Sequence, residues 1–191
     1  MNTDLNKEIS HFFQKDARAF FNRYALLKES STHLGTRSKL LLDLLFAIEC
    51  TLKALIFFES NEDEIKTYKK IKEHRFDKLI KLLSPEAQTK CEQYSISELN
   101  EYYVDIRYTL EAHVKFRTEQ GILGKEYYST IANSKWLDNV NDNAKLLLKY
   151  VESRNPPEIE SCQFSEINVK DELEKHALFE KLARAKKQTV L

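Results

Sequence analysis

Three glycines and three prolines are all the punctuation that 191 residues receive. Six such residues are about 3% of the chain, where roughly 12% is ordinary, so folds that need frequent tight turns or a glycine-cradled phosphate loop are disfavoured. Helices remain. The length suits one domain of about 150 residues with an appendage. The expected fold is all-α: an antiparallel bundle of four to six helices over residues 1–154, then a linker and a C-terminal amphipathic helical tail over 155–191.

Hydrophobic spacing places the elements. Ile9, Phe12, Phe13, Phe20, Tyr24 and Leu27 recur every three to four residues, which predicts a helix over about 4–29 with an aromatic inner face. Ser30 to Thr36 breaks it. From Ser38 to Phe58, apolar residues occupy more than half of the helix circumference, so this second helix is expected to be central. Glu49 and Lys53 form an i,i+4 pair on it, read as a solvated stripe. Asn61 is placed as the cap of a third helix whose first turn carries Glu62, Asp63 and Glu64. A short helix around Phe76–Leu83 ends at Ser84-Pro85, and Pro85 starts another. Ser97 opens a helical pattern with Leu99, Tyr103, Ile106 and Leu110 on one face. Further helices follow over about 133–153 and 169–187, the second carrying Leu173, Ala177, Phe179, Leu182 and Ala183.

Charge narrows the function classes. Thirty basic and thirty acidic residues cancel, so no long-range field draws the whole molecule to nucleic acid or to an anionic membrane. Any such contact must be local. The three cysteines, Cys50, Cys91 and Cys162, are odd in number and widely spaced, with no Cys-x-x-Cys pair; a reducing compartment, no structural metal and no cofactor are expected. The N-terminus lacks a basic start followed by an apolar run, and Asp43, Glu49 and Lys53 interrupt the most apolar stretch. The expectation is a soluble cytoplasmic protein with no membrane partner.

Familiar catalytic signatures are missing: no Gly-x-Ser-x-Gly elbow, Walker loop, dinucleotide fingerprint or zinc helix. The remaining constellation runs from Tyr102 to His113. On a helix, Arg107 lies about 100° from Ile106 while His113 returns to within about 20° of it, and the two are separated by about 9 Å along the axis. They are not partners within one helix. A two-fold dimer crossing two such helices could instead set Arg107 of one chain beside His113 of the other. That pair suits RNA cleavage, in which the ribose 2′-hydroxyl is the nucleophile, imidazole moves the proton and guanidinium grips phosphate, with no metal required.

Three blocks, Leu44 to Ile56, Glu73 to Leu83 and the Arg107 block, together resemble the HEPN superfamily of small helical bundles. The first resembles the family's second helix with its Glu and Lys. The second resembles a His-Asp-Leu-x-x-Leu-like turn and helix, and the third the family's Arg, four to six residues, His signature. The resemblance covers roughly residues 1–153 and leaves the tail aside. It implies a metal-independent endoribonuclease working as a dimer in a toxin–antitoxin or defence setting, with Arg107 and His113 as the catalytic pair. A nucleotidyltransferase-type antitoxin is then the implied protein partner. Tyr108 departs from the ribonuclease pattern, where a small polar residue follows the Arg. In this respect the chain is closer to the Arg-Tyr motif of sacsin-like HEPN domains, which implies nucleotide binding without cleavage.

Between Lys66 and Lys81 lie seven bases and two acids. Lys69, Lys70, Lys72 and Arg75 are the expected phosphate contacts, and Tyr103 and Tyr108, with Tyr102, Tyr127 and Tyr128, the expected stacking surfaces for RNA bases or a nucleotide. His74 is read as shaping a turn. The competing expectation is a non-catalytic interaction or antitoxin-like module whose tail helix docks into a partner's groove or exchanges between identical chains.

Overall fold

Two long apolar periodicities produce the two helices that organise the molecule. The computed structural model describes residues 4–30, 36–102, 106, 108, 112, 114–115, 125–156 and 169–188. They form α1 (Asp4–Ser30), α2 (Arg37–Glu59), α3 (Glu64–Lys70), α4 (Phe76–Ile80), α5 (Pro85–Gln93), a 3₁₀ helix (Ser97–Tyr102), α6 (Lys125–Ser129), α7 (Ser134–Arg154) and α8 (Val169–Gln188). No strand occurs among the described residues, and none of their helices is long and apolar enough to cross a membrane.

Side-chain pairs give the helix directions. Phe13 stacks on Phe57 and Phe20 tilts against Phe46, while Arg23 reaches Asp43, so α1 and α2 run antiparallel. Arg18 with Glu152 and Tyr24 with Asp138 make α1 antiparallel to α7 as well. The helices α2 and α7 are therefore parallel: Arg37 donates to the Ala132 carbonyl at one end and Arg154 to Glu59 at the other. Between them in the sequence lie the short helices α3, α4, α5, the 3₁₀ helix and α6.

The core is centred on α2, whose Leu41, Leu44, Leu45, Ile48, Leu52, Leu55 and Phe57 are all buried. Burying each such side chain contributes about 1.5–3 kcal/mol before entropy is counted. The face of α1 that joins it is Leu5, Ile9, Ala17, Phe21 and Tyr24. Phe12 and Leu27, expected inside, are exposed: Phe12 falls at the edge of the buried 5-9-17-21-24 row, and Leu27 lies beyond its last member, in the final turn of α1.

Local chemistry corrects two helix starts. Asp63, not Asn61, caps α3: its side chain accepts from the Lys66 amide at 2.9 Å, while Ser60 takes the Glu62 amide and keeps that residue outside the helix. That amide bond leads the influences holding the Asp63 carboxyl below its usual range. The turn opened at Ser97 is 3₁₀ rather than α. Other boundaries follow the residues expected of them. Ser84 caps α5 with Pro85 in its first turn, and Asn133 caps α7 by accepting from the Lys135 and Trp136 amides.

Helix α8 meets α1 and α3. Phe179 of α8 meets Phe12 edge-on at 5.3 Å between centroids, and Lys181 Nζ lies 3.7 Å from Glu64 Oε1. Leu173 is 65% exposed on the same helix.

Helix α5 ends in a Schellman motif closed by an unusual residue. The Ile96 amide donates to the Cys91 carbonyl and the Ser95 amide to the Glu92 carbonyl, both at 2.9 Å, with Ser95 at φ 52°. Left-handed geometry costs a non-glycine residue about 1–2 kcal/mol, while a glycine gives part of that back through the entropy of the unfolded chain. Ser95→Gly is therefore expected to stabilise the protein by about 0.5–1 kcal/mol, read as a higher urea midpoint with unchanged slope.

Candidate functional site

Because α2 is enclosed by neighbours, its charged side chains lie inside rather than on a solvated stripe. Glu49 and Lys53 are 7% and 8% exposed, and Lys53 Nζ donates to Glu49 Oε1 at 2.6 Å. The expected exposed pair is thus a buried one. The apolar arc that predicts a central α2 leaves no outward face for it.

The same carboxylate oxygen takes a third group. His74, in the connection between α3 and α4, places Nδ1 2.9 Å from Glu49 Oε1, with 57% of its side chain exposed. Its backbone is fixed by Glu73, whose Oε1 accepts from the His74 and Arg75 amides at 3.1 Å each. Lys78 Nζ holds the other Glu73 oxygen at 2.7 Å. The Lys78 bond, then the Arg75 amide, pull the Glu73 carboxyl down to about 2. One residue on, the Phe76 amide donates to Asn100 Oδ1 at 3.0 Å, tying this connection to the 3₁₀ helix. The cluster therefore runs from the core to the surface: ammonium, carboxylate, imidazole.

Such a carboxylate on Nδ1 selects the Nδ1–H tautomer and orients the ring, leaving Nε2 as the acceptor nitrogen. The arrangement links a surface imidazole to a buried ion pair. Thiol chemistry is disfavoured beside it. Burial, then the Asp16 and Glu49 charges, push the Cys50 thiol up to about 12, so it stays protonated at neutral pH. Among the described residues no group of three or more His, Cys, Asp or Glu side chains could hold a metal ion.

The basic run is largely neutralised. Lys66 pairs with Asp63, Lys70 with Glu62 at 2.7 Å, and Lys78 with Glu73. Arg75 forks onto both oxygens of Asp77 at 3.0 and 3.1 Å, the main reason that carboxyl sits below its usual range. Counted over 62–81, seven bases face five acids. Lys69 and Lys72 are exposed on the same segment.

Of the expected stacking residues, Tyr108 is 64% exposed and Tyr128 is exposed too. Tyr102 and Tyr127 are core residues instead. Tyr102 packs on Trp136 at 5.4 Å, and burial raises its hydroxyl above the usual range. They cannot stack on a ligand. Arg107, His113 and Tyr103 lie outside the described residues. Around them, Ile106 and Ala112 are buried, and the Ala112 amide donates to the Tyr108 carbonyl at 3.0 Å.

Sequence reasoning missed the contact between Glu49 and His74, which lie 25 positions apart and share no periodicity. The available signal was the intrusion of Asp43, Glu49 and Lys53 into the most apolar segment. Compared with known protein families, curated proteins and solved structures, the chain matches none.

A buried ion pair is rarely retained for net stability, since an apolar pair of similar volume usually does as well. Lys53→Met alone, which takes the ammonium from the buried Glu49 carboxylate, is expected to cost up to about 3–5 kcal/mol in urea denaturation. The double variant Glu49→Leu/Lys53→Met should recover most of that loss, while uncoupling His74.

Proposed function

We propose that the protein is a HEPN-like nucleotide- or RNA-binding protein that acts as a homodimer, with Arg107 and His113 forming a metal-independent endoribonuclease site in a toxin–antitoxin or defence setting. The observation that carries this reading is the convergence of the sequence blocks. Glu49 of the first block meets His74 of the second at 2.9 Å. Phe76 of the second bonds Asn100, on the approach to the third, and Ile106 and Ala112 of the third enter the same core. Blocks that were only consecutive in sequence are neighbours in space.

The chemistry asks little of the fold. Arg107 anchors the scissile phosphate and His113 transfers the proton of the 2′-hydroxyl; Lys69, Lys72 and the exposed Tyr108 position the strand. In the Arg-Tyr version of the same site, Arg107 holds the phosphate of a nucleotide and no bond is broken. A nucleotidyltransferase-type antitoxin is the partner this setting supplies.

A second reading rests on the exposure of Leu173 on α8: a non-catalytic interaction module that presents this helix to a partner. Removing residues 155–191 leaves RNA binding intact on the first reading and abolishes the partner complex on the second.

Incubation with structured RNA in excess chelator should yield fragments ending in cyclic phosphate, and Arg107→Ala or His113→Ala should each slow cleavage by about 100-fold or more. Cleavage that survives both substitutions would rule out this site. Because Lys66, Lys70, Arg75 and Lys78 of the basic segment are already held by carboxylates, RNA affinity should fall gently with salt, with a log–log slope of about −1.4, corresponding to some two released counterions per bound single strand. A slope steeper than about −4 would instead reveal a broad basic surface.

A further inference from the structure

We infer that the face of α1 and α3 carrying Phe12 and Glu64 is a helix-binding site, and that α8 is the strap that fills it in the free protein. The inference needs neither RNA nor cleavage, so it stands apart from both readings above.

The contact has two anchors on two different elements. Phe179 meets Phe12 of α1 edge-on at 5.3 Å, and Lys181 Nζ lies 3.7 Å from Glu64 Oε1 of α3. Positions two apart on a helix differ by about 200° around its axis, so these side chains leave α8 on nearly opposite sides. One helix therefore reaches both walls. The walls are joined to each other as well, because Asn6 of α1 donates to the Glu62 carbonyl, at the approach to α3, at 2.9 Å.

Each wall lacks something that α8 brings. Glu64 is only 6% exposed, and a carboxylate withdrawn from water needs a cation beside it. The ammonium that faces it belongs to α8. Phe12 stands at the edge of the buried row of α1 and stays half exposed with Phe179 against it. Edge-on aromatic pairing contributes beyond the area it buries, so this ring favours another ring. The site thus selects by chemistry: an amphipathic helix that offers an aromatic residue and, two positions on, a basic one.

The occupant is held in a way that lets it leave. Among the side chains described on α8, Phe179 is partly buried and every other one is exposed, Lys181 included. Glu180 pairs with Arg184 at 3.3 Å, so that charge is answered within α8 and not by the bundle. A lone helix of this length is marginal in water, and docking and helix formation support one another. Fourteen residues, 155–168, separate α8 from α7. A short tether supplies an effective concentration on the order of millimolar, which keeps a weakly held segment in place yet displaceable. Helix α8 is therefore an internal competitor: another helix of the same chemistry binds only in the fraction of molecules whose strap is open.

The test uses the full chain and a fluorescently labelled peptide of residues 169–188, with binding followed by anisotropy. Phe179→Ala/Lys181→Glu, which releases the strap and leaves the site intact, should bind the peptide about tenfold or more tighter than the wild type, as expected when the strap is closed about nine-tenths of the time. Adding Phe12→Ala or Glu64→Gln to that variant should remove the gain. Should Glu64→Gln fail to fold, Phe12→Ala, at an exposed position, still decides. In the full chain without peptide, Phe12→Ala alone leaves α8 chemically unaltered but should speed hydrogen exchange of its amides severalfold. Equal peptide binding by the wild type and the released variant, or none by either, overturns the inference. So does a gain that Phe12→Ala leaves untouched, since the peptide then sits elsewhere.

Discussion

Helix α2 has neighbours along nearly its whole circumference, and every charged side chain it carries must be answered from within the protein. Asp43 is met by Arg23 of α1, and Glu49 by Lys53 and by His74 from the α3–α4 connection. Glu59 accepts the Ser84 amide and hydroxyl at 2.8 Å each, together with Arg154 of α7. Apart from Lys53, which lies on α2 itself, each partner comes from a different part of the chain. Such pairs add little net stability, but a misplaced neighbour would leave a buried charge bare at a cost of several kcal/mol. The charges on α2 therefore act as registers that decide which element packs where.

The same logic closes the far end of the bundle without charges. Ser10 and Gln14 of α1 and Asn155, after α7, are all buried, and Asn155 donates to Ser10 Oγ at 3.1 Å while its carbonyl accepts from Gln14 at 3.2 Å. This amide cluster pins the end of α7 to the start of α1, and Asn6 of the same helix donates to the Glu62 carbonyl, bringing the start of α3 to that end. Beside it, Arg154 lies over the rings of Phe58 and Tyr150, and Tyr150 donates to Glu86. The terminus of α7 is thus tied to α1, α2 and α5 at once. Its opposite end is held by Tyr24 and Lys28 of α1, both on Asp138.

What was legible in the sequence was whatever repeats locally. The limits of α1, α2, α7 and α8 follow from three-to-four spacing and fall within a residue or two of those expected, and the Pro85 start is local chemistry as well. Direction of packing was not legible: nothing periodic says that α2 and α7 run parallel. Nor was the environment of a polar pair. Glu49 and Lys53 read as an exposed i,i+4 pair because that is what the spacing means on a helix with one wet face, and only the apolar arc of α2 contradicted it. His74 beside Glu49 depends on the path of α3, and Tyr102 and Tyr127 depend on which aromatics Trp136 and its neighbours enclose. Of the candidate site, the basic segment and Tyr108 were readable as exposed groups, whereas half of the pairing that neutralises that segment comes from Glu62 and Asp63, just outside the window that defined it, and half from Glu73 and Asp77 within it.

That neutralisation constrains how a polyanion could be held on the proposed reading. The ion pairs on α3 and α4 are solvent-exposed, so a phosphate can displace one at little cost and for little gain. Stacking of an unpaired base on an exposed aromatic ring contributes about 1–3 kcal/mol and needs no net charge. With zero net charge and seven bases against five acids on the most basic segment, short-range contacts must outweigh the field. Duplex recognition, which depends on a continuous cationic track along the backbone, does not fit this surface. A short unpaired segment does, because its bases can stack on the exposed rings of Tyr108 or Tyr128.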